Sequence, residues 1–164
     1  MSDQTEKDSD QQPWHYKDTL AYANYGLWLA TFQYKFYSRC GLCLNFFSIF
    51  LGSAVIGFAV YQQPFLTALV GVFVTVIGAI QMVVPFTENA FKAKDAKDRF
   101  LDFTVELPEM EEKAAKAKLA ELQKIGVASY YAMELMAINR CREQLGIDER
   151  VNEGRVARFF RLFV

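Results

Sequence analysis

The chain has 164 residues, 52% of them hydrophobic and 15% aromatic, with 18 Lys and Arg against 19 Asp and Glu. That is about the length of one domain, and a net charge of −1 gives no sign of a basic surface built for nucleic acid, so that class is set aside. One histidine, His15, excludes a His-based metal cluster or a Ser-His-Asp triad within one chain, and three cysteines give no disulfide framework.

Residues 1–13 carry Asp3, Glu6, Asp8 and Asp10 against Lys7, with no large apolar side chain except Met1. Such a segment cannot bury enough surface to order itself and reads as a disordered acidic tail. It also lacks the basic start and early apolar core of a cleaved signal peptide, so the apolar segments downstream are expected to be retained.

Residues 14–39 turn aromatic. Tyr25, Trp28, Phe32 and Phe36 recur at helical spacing, while Asp18, Asn24, Thr31, Lys35 and Ser38 fall on or near another face. This predicts an amphipathic helix. Its Trp and Tyr content suits a membrane interface, and packing on a cytoplasmic bundle fits the same pattern.

Between Arg39 and Glu88 no Asp, Glu, Lys, Arg or His occurs, a gap of 48 positions from Cys40 to Thr87. One spanning helix needs about 20 apolar residues, so the segment 40–87 is long enough for two passes, at about 42–61 and 65–86. Tyr61-Gln62-Gln63-Pro64 reads as a tight uncharged turn between antiparallel neighbours. Lys35 and Arg39 precede the first span, Lys92, Lys94, Lys97 and Arg99 follow the second, and the turn has no cation. By the positive-inside rule both termini face the cytoplasm.

Past the second span, Ala93, Ala96, Phe100, Phe103 and Leu107 repeat at 3-4-3-4 spacing, which continues the helix with a narrow apolar seam that asks for a partner. Pro108 interrupts it, and Glu109, Glu111 and Glu112 before Lys113, Lys116 and Lys118 start a new helix that ends near Gly126. A further helix from about Ala128 to Leu145 places Tyr131, Leu135, Ile138 and Leu145 on one face. The end of the chain mixes Arg150, Arg155, Arg158 and Arg161 with Val156, Phe159, Phe160, Leu162 and Phe163, fit to lie on an anionic leaflet or dock on another subunit. The fold expected is therefore an all-α membrane protein: a two-transmembrane helical hairpin, an N-terminal amphipathic helix, and C-terminal cytoplasmic helices over 88–164.

Small and polar residues inside apolar spans mark close helix approach or an aqueous path. Thr67, Gly71, Thr75, Gly78 and Gln81 follow one another at spacings of three and four toward Glu88, and Asn45, Ser48 and Gly52 do the same in the first span, with Ser53 and Gly57 as an adjacent small pair. Two readings stay open: the seam of the hairpin itself, or the lining of a pore closed by several copies, with Glu88 at its cytoplasmic end. Trp14, Trp28, Arg39, Lys92, Arg155, Arg158 and Arg161 are the candidates for the membrane interface. Cys40 and Cys43 form a lone CxxC best read as packing groups, no phosphate-cradling glycine loop occurs, and no cofactor, metal or catalytic role is expected. A small transporter of dimerised hairpins is weakened by the absence of charge inside the spans.

An aromatic basic helix ending Tyr34-Lys35-Phe36-Tyr37-Ser38-Arg39, a two-span hairpin with a short turn, and the charged helix from Phe91 to Phe100 together resemble the SLATT family, the SMODS- and SLOG-associating two-transmembrane effector domains of bacteria. The resemblance covers about Trp14 to Gly146 in architecture and residue character, without a catalytic motif. It implies a homo-oligomeric effector in the bacterial inner membrane that forms pores or disturbs the bilayer in anti-phage defence when a signalling nucleotide or sensor protein activates it. The rival from another class is a non-conducting anchor that holds the helices of 89–164 near a partner.

Overall fold

A computed structural model describes residues 14–125, 129–147, 150–152 and 154–160, the backbone alone for 14–16, 155, 158 and 159. The expected acidic tail of 1–13 and Arg161 lie outside the described residues. Every regular element described is helical: α1 (Trp14–Val60), α2 (Pro64–Val83), α3 (Phe86–Glu106), a 3-10 turn (Leu107–Glu109), α4 (Glu112–Leu122), α5 (Tyr131–Gln144) and α6 (Arg155–Phe160).

The amphipathic segment and the first apolar span, read separately from sequence, are one helix of 47 residues, about 70 Å long at 1.5 Å per residue. No proline interrupts residues 14 to 60, and Thr31 and Ser53 direct their hydroxyls to the carbonyls of Leu27 and Ile49 one turn back. The helix ends on a Schellman motif: Gln63 N–H bonds Phe58 O, Gln62 N–H bonds Ala59 O, and Gln62 takes the left-handed φ of 54°. Pro64 then opens α2 at a position whose N–H has no intrahelical partner anyway.

The second apolar helix does not run on into the charged one, as its sequence pattern predicted. It stops at Val83 because Pro85 has no N–H to give Gln81 O and forces Val84 into extended backbone, φ −112° and ψ 103°. Pro85 itself makes an inverse γ-turn, φ −74° and ψ 75°, with Phe86 N–H bonded to Val84 O at 2.8 Å. The chain keeps its direction through this break. Asn45 faces Gln81, Tyr37 meets Phe86 and Gly26 meets Phe100, so α1 runs antiparallel to α2 over one half and to α3 over the other.

The predicted seam of α3 is buried in full: Ala93, Ala96, Phe100, Phe103 and Leu107. It meets Ala23, Leu20 and Leu27 of α1, and Ala115, Leu119 and Leu122 of α4 complete this first core. Gly26 is where the two helices come closest; a Cβ there would lie 2.5 Å from the Phe100 ring. A second core on another side of α1 joins Phe32 to Ala132, Met136 and Ala137 of α5 and Ala157 of α6. The face expected for α5 is corrected by this arrangement. Tyr131 and Leu145 are exposed, while Ala132, Met133, Met136, Ala137 and Asn139 are buried with Leu135, because α5 packs small residues and methionines closely on α1. Buried Asn139 bonds both backbone groups of Val151, Nδ2 to the carbonyl at 3.0 Å and Oδ1 from the N–H at 2.8 Å, which ties the segment after α5 back to the bundle. Gly146, φ 70°, ends α5 in a second Schellman motif, with Ile147 N–H on Arg142 O.

Candidate functional site

Residues 40–60 of α1 and all of α2 form the apolar half of the molecule, each about 30 Å long and without a charged side chain. No residue in the apolar stretch of either helix is buried. Large side chains point outward all along it, from Ile49 (73% exposed) to Phe65 (78%) and Met82 (88%).

Within this half the candidate polar residues divide. Gln81 Nε2 donates to Asn45 Oδ1 at 3.0 Å, a side-chain bond from one helix of the hairpin to the other. Ser48, Gly52, Thr67 and Gly71 are half-buried on the same inner side. Thr67 donates to Gln63 O at 2.9 Å. Thr75 and Gly78 are exposed, as is Asn45, and the Thr75 hydroxyl is returned to Gly71 O of its own helix at 2.9 Å. A Cβ at Gly52, Gly57, Gly71 or Gly78 would meet no atom within 4 Å, so none of these glycines serves a close approach inside the hairpin.

At the boundary with the charged half, Glu88 pairs with Lys92 at 2.6 Å, one turn on and in the open. Beside it the Pro85 break leaves a cavity of about 320 Å³ lined by Gly41, Asn45, Gln81, Thr87 and Glu88. Here helix backbone lacks its usual partners at the very point where the side chains turn polar. Arg39 is exposed at the same level. Cys40 and Cys43 are free, and no cluster of metal-binding side chains occurs among the described residues.

Trp28 stands elsewhere. It lies 12 positions before Cys40, about 18 Å along the helix, and its Nε1 donates to Gln144 at 2.9 Å while Arg140 caps its ring. It is a bundle residue, tied to α5. The side chains of Trp14, Arg155 and Arg158 are outside the described residues.

Two features are not visible in the residue spacing. An aromatic joint links the halves: Phe36 packs on Tyr37, Tyr130 and Phe160, and Tyr37 packs on Phe86 at the start of α3. Tyr37 is only 2% exposed, and burial, then the charge and hydrogen bond of Tyr130, push its pKa up to about 12. The second feature is a cavity of about 850 Å³ between the two cores of the charged half. Neither can be read locally, since each is assembled from helices more than 40 residues apart.

The architecture defines an all-helical protein with two helices long and apolar enough to span a membrane, continued by a charged helical bundle. Compared with protein-family models, curated proteins and solved structures, the chain matches none.

Proposed function

We propose that the chain is an integral membrane protein whose hairpin crosses the bilayer twice, with the bundle and both termini on the cytoplasmic side, and that it acts as an oligomeric effector that permeabilises the membrane. The observation that carries the membrane reading is that neither apolar helix has a buried residue in its apolar stretch. A core helix of a water-soluble protein would be covered, and contiguous apolar patches of this extent are not left in water. Helices of about 30 Å match the hydrocarbon thickness, and Arg39, Lys92, Lys94 and Lys97 gather at one end.

The resemblance to SLATT effectors supports the finer reading: a homo-oligomer in a bacterial inner membrane, responding to a signalling nucleotide or a sensor protein and ending in arrested growth of an infected cell. A single hairpin encloses no pore, so several copies are required. In such an assembly the lining is offered by exposed Thr75, whose hydroxyl bonds its own helix, and by Gly78, rather than by Asn45 and Gln81, which bond each other across the hairpin. That same pairing favours a second reading, a non-conducting anchor that holds the bundle near a partner. Purified protein in liposomes separates the two. Leak of ions or dye that is lost in Thr75→Leu is expected of the effector. A monomeric particle that leaks in no activated state contradicts it.

A further inference from the structure

Where the charged half meets the apolar one, α1 and α3 leave a groove of about 370 Å³ between them. It follows α1 from Tyr34 to Asn45, about 16 Å, and so straddles the step from Arg39 to Cys40 at which charge leaves the sequence. The headgroup layer on each face of a bilayer is about 5 to 7 Å deep, so a groove of this length reaches from headgroup level into hydrocarbon. We propose that it holds the headgroup of an anionic phospholipid, with the phosphate at Lys94 and the acyl chains running on past Leu42 into the bilayer. This inference rests on the membrane reading above.

Two independent features of the lining select this ligand. The first is a cation left without a partner. On α3, Lys92 pairs with Glu88 at 2.6 Å and Arg99 with Asp95 at 2.9 Å, whereas Lys94 forms no ion pair and no hydrogen bond among the described residues. Asp98, one turn on, lies outside the groove and beyond ion-pair distance, and none of the lining residues is acidic. A lysine ammonium is a compact charge with three donors, suited to a single phosphate. The second feature is a set of unused hydroxyls. Thr31, Ser53, Thr67, Thr75 and Thr104 each bond a carbonyl of their own helix, while Tyr34, Ser38 and Thr87 in the groove bond no group among the described residues. They are free to donate to phosphate and glycerol oxygens. At the sides, exposed Leu42 and Phe91 offer the apolar surface that acyl chains cover. Lys35 and Arg39, on the same turns of α1 as Tyr34 and Ser38, and Lys97 on α3 add positive charge that repels the choline or ethanolamine of a zwitterionic lipid. The headgroup is therefore a net anion, such as phosphatidylglycerol.

The test uses the full chain in nanodiscs of equal phosphatidylglycerol and phosphatidylcholine, with native mass spectrometry of the released protein counting the lipids it retains. Phosphatidylglycerol is expected to be retained roughly tenfold over phosphatidylcholine, the factor that one charge-assisted hydrogen bond supplies. Lys94→Gln should remove the preference, and Lys113→Gln, which deletes the same charge on α4, should leave it. Ser38→Trp fills the groove and should remove it too, and Thr87→Trp does so from α3 should the first variant fail to fold. Excess glycerol 1-phosphate, a headgroup without chains, should displace no lipid; displacement would make the occupant a soluble phosphate and overturn the proposal. Equal retention of the two lipids, or a preference that Lys94→Gln and Lys113→Gln lower alike, would also overturn it and leave the membrane reading intact. A chain that enters neither kind of bilayer contradicts that reading and the site with it.

Discussion

Gln81 donates to Asn45 across the hairpin at 3.0 Å, placing the two side-chain amides of the apolar half against each other. An amide left unpaired in hydrocarbon is costly, so the pair holds the register of the two helices as well as their contact. Double-mutant cycles with Asn45→Leu and Gln81→Leu in bilayers should give a coupling of about 0.6 to 1.7 kcal/mol. A coupling near zero would mean that the two amides find other partners. Neither single substitution should abolish conduction if Thr75 and Gly78, rather than this pair, line the path.

The approach of α1 to α3 makes a sharper test, because it reverses sign. A methyl at Gly26 would meet the Phe100 ring at 2.5 Å, and overpacking of this kind costs about 1 to 3 kcal/mol. That exceeds the gain of roughly 0.5 to 1 kcal/mol that alanine gives over glycine inside a helix. Gly26→Ala should destabilise the native chain, yet stabilise a Phe100→Leu variant, in thermal or denaturant unfolding of the reconstituted protein. The same sign in both backgrounds would place the crowding elsewhere.

How much of this was legible differs between the halves. The uncharged run from Cys40 to Thr87 announces two long apolar helices, and the 3-4-3-4 pattern from Ala93 to Leu107 marks a face that is buried in full. Both are local patterns in which the buried or apolar residues fall on one continuous stretch or one face of the helix. Where a helix carries cores on two sides the pattern blurs. α1 carries cores on two sides, so buried Thr19, Gln33 and Ala30 break its aromatic stripe, and its continuity past Arg39 leaves no mark in composition. α5 buries alanines and methionines where the larger Tyr131 was expected. The stop at Val83 follows from Pro85, which the hydropathy of the surrounding residues masked. Of the candidate polar positions, Asn45 and Gln81 are paired across the hairpin while the Thr75 hydroxyl bonds its own helix, a division that depends on how the two helices face each other and not on spacing within one of them.

The aromatic joint has a consequence for alkaline stability. Tyr37 has a folded pKa of about 12, above the 10.0 of a free tyrosine, so the unfolded chain loses this proton first. Its contribution is complete below pH 10.0 and is lost as pH rises through about 12. Ultraviolet titration should show Tyr37 ionising last or together with unfolding. Tyr37→Phe should flatten the alkaline loss of stability, and a steep loss unchanged in that variant would assign it to another group. Burial also raises the pKa of the Cys141 thiol, which should react slowly with maleimide in the folded chain.

The most direct measurement is the sidedness of single cysteines in intact vesicles, with Cys40, Cys43 and Cys141 replaced by serine and one cysteine restored at Gln62, at Glu121 or at Lys17. All three positions are exposed, the first in the turn between α1 and α2 and the others on the bundle. A hairpin that crosses the bilayer twice predicts labelling of Glu121→Cys and Lys17→Cys by a membrane-impermeant maleimide from the cytoplasmic face only, and of Gln62→Cys from the opposite face only. Labelling of all three from one face would contradict it.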